Sequence, residues 1–475
     1  MAAKAPQKQA LTQKASLKAH SATADWPFAH TQAQFQQWVD DALGMAKKLG
    51  ATDAAVEVSE GMGLSVSVRK GELENVERNR DKSIGITVFV GQRRGNASSS
   101  DFSQASIAQT VQAAFDIARY TADDSAAGLP DEQDLALGVE AQQNLDLYHP
   151  WNIDAQAAAL LAQQCEEAAF QTDRRITNSE GAAVSAQQAH FYAGNTRGFR
   201  GGYPSSRHSF SVSPIAGRGA DMQRDSWYSS MRDAADLASP QAVGRYAAER
   251  ALSRLKSRKI ATCEAPVLFE STVAAGLLGA YVQATSGGAL YRKATFLLDS
   301  LGQTVMPEHI NITEDPFILK GKGSAPFDDE GVRTQARTVL ANGVVQNYFL
   351  SSYSARKLGM RTTGHAGGSQ NLQLSSRLTK AGDNLAEMVR KLHRGLLVVE
   401  LMGQGVNYVT GDYSRGAAGF WVENGEIAYP VHEITIAGNL AQMFKQMVAV
   451  GADPYTTGSK TVGSVLIESM MIAGS

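Results

Sequence analysis

The chain has 475 residues, 43% of them hydrophobic and 19% charged, an ordinary composition for a globular protein of two or three domains. Its 45 basic and 47 acidic residues leave a net charge of −2, so no basic surface indicates nucleic-acid binding. Two cysteines exclude a disulfide framework, and no uninterrupted apolar run is long enough to span a membrane. We therefore expect a cytoplasmic protein that binds neither nucleic acid nor membrane.

The first half predicts an α/β domain after a short tail. Residues 1–32 are rich in Gln, Ala and Lys and lack the apolar segment of a secretory signal, which predicts a disordered tail. In the domain that follows, 33–257, the stretches AAVEVSE, LSVSVRKG and IGITVFVG alternate apolar and polar residues, which predicts antiparallel strands with one solvent-exposed face. We expect a mixed or antiparallel sheet flanked by helices, and the helical spacing places those helices over 33–49, 103–123, 152–171 and 240–256.

The second half, 258–475, is rich in glycine and in strand patterns. RTVLANGVVQ and GFWVENGEIAY each place Asn-Gly between two apolar runs, which predicts two hairpins. The closing SVLIESMMIAG predicts a final strand. We therefore expect a β-rich barrel or sandwich-like domain, and an α+β class for the whole chain.

The common catalytic motifs are incomplete. GQGVNY, 403–408, lacks the third glycine of a dinucleotide-binding loop, and GDYSRG, 411–416, is not a nucleophile elbow. HEITIA starts at His432 like a zinc-protease motif, but neither Ile436 nor Ala437 can ligate zinc, and the stretch alternates like a strand. We interpret His432 as a surface residue or as support for a neighbouring site.

Two polar turns carry several functional groups each. PFDDEG, 326–331, has three successive acids, but neighbours in an extended segment point to opposite sides, so we interpret it as a solvated acidic turn. TGDYSRG contains Asp412, Tyr413, Ser414 and Arg415, a set that suits binding of a peptide backbone or carboxylate. A salt-bridged turn is the alternative for the second motif.

One carboxylate, Glu270, lies near the start of the apolar run PVLFESTVAAGLLGAYVQA, 266–284. A carboxylate in such surroundings costs free energy unless it has a partner. At the start of a helix it would lie beside the positive end of the helix dipole. These residues alone define no active site.

Several long motifs resemble the TldD/TldE (PmbA) family. They are VRKGELENVERNRDKSIGITVFVG, GSAPFDDEGVRT, GVVQNYFLSSYSARKLGMRTTGHA, GQGVNYVTGDYSRGAAGFWVENGEI and PVHEITIAGNL, and the likeness covers about residues 35–475. The resemblance implies a cytoplasmic two-subunit metallopeptidase that degrades unfolded peptides and processes peptide precursors. TldD-type subunits of the family carry zinc on an HExxxH motif and a cysteine near the C-terminus, whereas TldE-type subunits lack these ligands.

The resemblance places the zinc motif at FESTVA, where Phe269 and Ala274 replace the two histidines and Glu270 remains. No cysteine follows in the closing segment. This implies a TldE-type subunit with no catalytic residue, metal or cofactor of its own, and zinc in a TldD partner. We expect a heterodimer with the TldD-type subunit in the cell and a homodimer when the chain is alone.

The peptide-binding residues are predicted to be Asp412, Tyr413, Ser414, Arg415 and His432. The glycine-rich strands of the second half are expected to bind peptide by strand addition. This mode forms hydrogen bonds with the peptide backbone and therefore tolerates many peptide sequences.

Two alternatives remain open. One is a self-standing metal-dependent hydrolase that uses His432 and Glu433 with His365, and the other is a free-standing peptide-binding homodimer.

Overall fold

The computed structural model describes residues 26–474. A long-stranded antiparallel sheet with helices forms the first half, and two further sheets form the second. The predicted α+β class is confirmed. Among the described residues, no helix is both long and apolar enough to cross a membrane.

The elements of the first half follow the predicted order. They are α1 (Gln32–Lys48), β1 (Asp53–Arg69), β2 (Glu72–Val90), β3 (Arg93–Ser99), α2 (Gln104–Tyr120), α3 (Ala155–Thr172), β4 (Ile176–Asn195), β5 (Arg200–Gly201), β6 (Pro204–Ala216), β7 (Gln223–Arg224), β8 (Trp227–Met231) and α4 (Pro240–Ser253).

Side-chain caps fix where these helices begin. Thr31 and Gln34 form a capping box at α1, and Asp154 at the start of α3 accepts a hydrogen bond from the Ala157 amide at 2.7 Å. Each cap satisfies an amide that the helix itself leaves unpaired.

The first-half strands form one antiparallel sheet in the order β3-β2-β1-β4-β6-β7, with β5 beside β4 and β8 beside β6. Along β1, Val58 belongs to the apolar cluster with α1 and α2, and Val66 to the cluster with α3 and α4. Glu57 and Ser59 alternate with these valines and lie on the opposite face. The helices therefore cover one face and leave the other polar, as the alternation predicted.

The segment before α1 contacts the sheet. Residues 1–25 of the predicted tail lie outside the described residues. Phe28 is buried, and the carboxylate of Glu60 accepts hydrogen bonds from the amides of Ala29 at 2.9 Å and His30 at 3.2 Å.

The second half follows the connection between α4 and the next strand. Its elements are β9 (Cys263–Phe269), α5 (Ser271–Ala284), α6 (Gly287–Tyr291), β10 (Ile310–Asp315), β11 (Arg337–Ala341), β12 (Val344–Val345), α7 (Ser352–Lys357), β13 (Asn371–Ser376), α8 (Leu385–Leu392), β14 (Gly395–Met402), β15 (Asp412–Glu423), β16 (Glu426–Asn439), α9 (Leu440–Lys445), β17 (Met447–Val450), β18 (Tyr455–Thr457), β19 (Lys460–Val462) and β20 (Val465–Ala473).

Five of these strands close into a barrel. The order is β16-β15-β14-β9-β20, and β16 pairs with β20 to complete the ring, with β17 beside β20. The other sheet has the order β12-β11-β10-β13-β19-β18, and α5 packs against β14, β18 and β19. The predicted barrel is therefore present, with a second sheet beside it.

Both predicted hairpins turn at Asn-Gly. Asn342 and Gly343 have φ of 49° and 77° between β11 and β12, and Asn424 and Gly425 have φ of 53° and 75° between β15 and β16. Two successive left-handed residues suit the twist of a hairpin, and Asn followed by Gly adopts them at low cost.

Candidate functional site

Glu270 lies between β9 and α5 as the N-cap residue of that helix. Its amide donates to the Val398 carbonyl at 3.0 Å, and its carbonyl accepts from Val273 and Ala274 at 2.9 and 2.8 Å. Its side chain makes no capping hydrogen bond to the helix backbone. The predicted helix-start position is observed, but the carboxylate points elsewhere.

The carboxylate of Glu270 is held by an ion pair across the two halves of the chain. Arg250 Nη1, from α4, lies 3.3 and 3.4 Å from its two oxygens, and Thr272 Oγ1 donates to it at 2.7 Å. Both charged side chains are almost fully buried, at 7% and 3% exposed. The partner that a buried carboxylate requires is therefore supplied by the first half of the chain.

The ion pair extends into a larger network. Arg250 Nε lies 3.2 Å from Asp225, and Arg254 Nη1 lies 3.5 Å from Asp225 and 2.5 Å from Glu400. Burial alone would lower the pKa of Arg250, but the carboxylates of Glu270 and Asp225 outweigh it and raise that pKa. Arg250 is thus a fixed cation that joins α4 to the barrel.

Phe269 and Ala274 have different surroundings from Glu270. Both belong to the main apolar core of the second half, and they are 0% and 1% exposed. Cys165 is buried in α3, while Cys263 is half-buried and lies opposite Ile472 of the closing strand. Cys263 starts β9 and Phe269 ends it, so these two are separated by the length of that strand.

The TGDYSRG residues divide between two faces of β15. Asp412 and Ser414 are exposed, whereas Tyr413 is buried in the core and Arg415 is half-buried. Burial raises the pKa of the Tyr413 hydroxyl to about 12, and the neighbouring Arg415 acts in the opposite direction. Alternation along the strand therefore prevents these four side chains from forming one surface.

His432 is apart from this group. Residues 412–415 pair with 436–439, while His432 and Glu433 lie in a bulge beyond Ile434. At about 3.3 Å per residue, His432 is roughly 13 Å further along β16 than the partner of Arg415.

Strand addition at residues 412–415 is blocked on both sides, so our expectation for this strand is wrong. The neighbour on one side is β16. On the other side, residues 403–407 cover the strand, with the Ser414 amide donating to Gly405 at 2.6 Å and the Asn407 amide donating to Asp412 at 2.8 Å. A peptide could pair here only by displacing that segment.

The metal site of the alternative hydrolase is not assembled. His365 Nε2 lies 2.8 Å from Glu314 and 2.9 Å from Arg337, in a buried network. Glu433 instead pairs with Lys259 at 3.0 Å on the surface. Across residues 26–474, no group of three or more His, Cys, Asp or Glu side chains could hold a metal ion.

The turn 326–331 differs from the solvated turn that we predicted, because Asp328 is only 5% exposed. Its carboxylate accepts hydrogen bonds from the amides of Glu330, Val332 and Ala366, each at 2.9 Å. Burial, followed by the charge of Glu330, nevertheless raises the pKa of Asp328 to about 7. The aspartate organises the turn from inside, which the sequence alone did not indicate.

A cavity of about 650 Å³ lies against the polar face of the first sheet. Glu57, Asp329 and Glu330 line it together with Arg94 and Tyr353. The pKa of Glu57 is raised, mainly because the side chain is buried and secondly because the carboxylate of Asp329 is nearby. Local sequence patterns give no sign of this cavity, because β1 and the turn 326–331 are remote in the chain.

The fold defines the class of protein. A solved TldE from Thermococcus kodakarensis superimposes with a TM-score of 0.79 over 92% of this chain and 100% of that chain, at 18% identity. A solved protein from Bacteroides thetaiotaomicron, assigned as a candidate modulator of DNA gyrase, gives a TM-score of 0.86 at 27% identity over 93% of this chain and 99% of that one. The protein therefore has the TldD/TldE fold.

Sequence comparison identifies the family. Models of the PmbA/TldA metallopeptidase match as domain 1 at residues 54–118, the central domain at 148–255 and the C-terminal domain at 262–474. The metalloprotease PmbA of Escherichia coli O157:H7 is 49% identical over 440 residues, which cover 92% of this chain and 96% of that protein. The chain belongs to the PmbA/TldE family of metalloproteases.

Proposed function

We propose that this chain is the TldE-type, non-zinc subunit of a cytoplasmic TldD/TldE peptidase that degrades unfolded peptides and processes peptide precursors. The observation that carries the proposal is the environment of Glu270. Its carboxylate is taken up by Arg250 and Thr272, and the flanking Phe269 and Ala274 are core residues.

The chemistry of these three positions supports a subunit without zinc. A catalytic zinc site needs three protein ligands and one open position, and the side chains of Phe269 and Ala274 carry no lone pair for a metal. A carboxylate acts as a general base in such a site on a metal-bound water, whose pKa the metal lowers. With an arginine in contact instead, Glu270 serves to join the two halves of the chain.

In this proposal the zinc belongs to a TldD-type partner, and this chain contributes part of the chamber and holds peptide. The exposed Asp412 and Ser414 supply polar groups at one end of β15, with Tyr413 and Arg415 behind them and His432 further along the hairpin. The cavity against the first sheet offers room for a peptide segment. The partner is a TldD-type chain in the cell and a second copy of this chain when it is produced alone.

Zinc content tests the proposal directly. The purified chain should contain well below one equivalent of zinc by elemental analysis, and the Glu270→Gln variant should contain the same amount. A TldD-type chain prepared in parallel is the control and should retain its zinc. One equivalent of zinc in this chain, lost on Glu270→Gln, would contradict the proposal.

A further inference from the structure

Among residues 26–474, one long sheet edge in the first half has no neighbouring strand. Strand β2 pairs with β1 along its length, but β3 covers only its residues 84–90. Every residue from 72 to 83 is exposed, including the apolar Leu73 at 57% and Val76 at 39%. At about 3.3 Å per residue, this segment, which we call the open edge, is roughly 40 Å long.

An unpaired edge of this length is a template for another strand, because its outward N–H and C=O groups have no partner among the described residues. It is also the longest such edge among the described strands. In the second half, the five-stranded ring is closed, and the outer strands β12 and β18 of the other sheet have only two and three residues. Strand addition therefore has far more room on the open edge than on β15.

The charges of the open edge change sign halfway along it. Glu72, Glu74 and Glu77 precede the midpoint, and Arg78, Arg80 and Lys82 follow it. The exception is one acid in the basic part, Asp81, whose carboxylate accepts a hydrogen bond from Asn79 at 2.9 Å.

Four of these charges lack a partner in the part of the chain that the structure describes. Within residues 26–474, the side chains of Glu72, Glu74, Arg78 and Arg80 form no ion pair or hydrogen bond. Glu77 accepts a hydrogen bond from Asn75, and the Lys82 ammonium lies 4.9 Å from the Phe102 ring centre.

We propose that the open edge, residues 72–83, pairs antiparallel with the same segment of a second copy of this chain. A twofold axis at Val76 places Glu72 opposite Arg80 and Glu74 opposite Arg78 of the second copy, so the acidic part of each copy lies against the basic part of the other. If all the charges of the open edge had the same sign, two copies of the edge would repel each other. If the two copies paired in parallel, each charge would lie beside a charge of the same sign. The order acidic-then-basic thus selects a second copy in antiparallel orientation.

This inference adds a surface to the self-association in the proposed function, and it is tested without a TldD-type chain or a peptide substrate. If the open edge does not pair, the proposal that this chain is a zinc-free subunit is unaffected. If this chain does bind zinc, the proposed pairing of the open edge is equally unaffected.

Charge reversal provides the test, with light scattering after size exclusion as the readout. The natural chain should be a dimer. The all-basic variant E72K/E74K/E77K and the all-acidic variant R78E/R80E/K82E should each associate at least about a hundredfold more weakly, because like charges then face each other. An equimolar mixture of the two variants should recover the dimer.

The matched control combines all six reversals in one chain. Its edge is basic first and acidic second, so it remains self-complementary and should dimerise. This separates the effect of charge order from any general effect of six substitutions on folding, which circular dichroism checks for each variant. Dimers of either single-sign variant alone, or a mixture that stays monomeric, would overturn the inference.

Hydrogen exchange locates the contact. In the natural dimer, the outward amides of 72–83 should exchange more slowly than in the all-basic variant. A monomeric natural chain, or one whose 72–83 amides become protected only when a disordered peptide is added, would overturn the inference and assign the edge to peptide.

Discussion

Arg250 and Glu270 form a buried ion pair, with Nη1 3.3 Å from a carboxylate oxygen, and it links the last helix of the first half to the first helix of the second. In the family resemblance, Glu270 is the one residue of the zinc-peptidase motif that this chain retains. Its carboxylate contacts the guanidinium of Arg250, which lies on helix α4 of the same chain. The contact explains how a carboxylate is tolerated in an apolar stretch.

Removing the cation should destabilise the protein strongly. Arg250→Met leaves Glu270 buried without a counter-charge, and we expect the free energy of unfolding to fall by about 3–5 kcal/mol in urea titrations. The control is Arg377→Met, which breaks the exposed pair with Glu308 and should cost about 1 kcal/mol or less. Equal losses in the two variants would show that the buried pair has no special role.

Restoring two histidines should not create a peptidase. Phe269→His with Ala274→His supplies two ligands of the three that a catalytic zinc needs, and it places polar rings at fully buried positions. We expect no zinc-dependent cleavage of a disordered peptide and a lower melting temperature. Cleavage that a chelator abolishes, and that Glu270→Gln removes in the same background, would show that a third ligand is already present.

Asp328 should make stability depend on pH. Its native pKa of about 7 exceeds the ordinary value of 3.8, so the native state binds more protons than the unfolded state between about pH 4 and 7. The free energy of unfolding should therefore fall as the pH rises through that window, by up to about 1.4 kcal/mol per pH unit.

Asp328→Asn should flatten this part of the stability profile relative to the natural chain. The exposed Asp299→Asn is the control and should keep the natural slope. If the Asp328→Asn profile runs parallel to the natural one, the carboxyl is ionised in the native state throughout the window.

Arg415 should matter more for activity than for folding. Arg415→Ala removes a half-buried charge, and the melting temperature should stay within a few degrees, consistent with about 1 kcal/mol or less. Cleavage by the complex reconstituted with a TldD-type chain should fall, whereas Arg377→Ala should leave it unchanged. An unfolded Arg415→Ala variant with full activity per folded molecule would reverse this assignment.

Local patterns predicted much of this fold because local physics decides those features. Alternation in IGITVFVG and the Asn-Gly turns at 342 and 424 each depend on a few adjacent residues. The family resemblance, carried by long motifs such as TGDYSRGAAGFW, also proved correct.

Features that depend on residues far apart in the chain could not be predicted from local sequence patterns. The partner of Glu270 lies 20 residues earlier on another helix, and the amide of Ala366 that binds Asp328 lies 38 residues later. The four polar residues at 412–415 looked like one binding group in sequence, but alternation along β15 puts them on two faces. Such pairings follow from tertiary packing, for which spacing gives no signal.

We propose that this chain acts in proteolysis only through a partner that carries zinc. The decisive measurement is cleavage of a disordered peptide by this chain, by a TldD-type chain and by their equimolar mixture, with size exclusion and light scattering on the same samples. We predict a heterodimer and cleavage in the mixture alone. A mixture in which the chains stay separate, or a TldD-type chain that cleaves as fast by itself, would contradict the account.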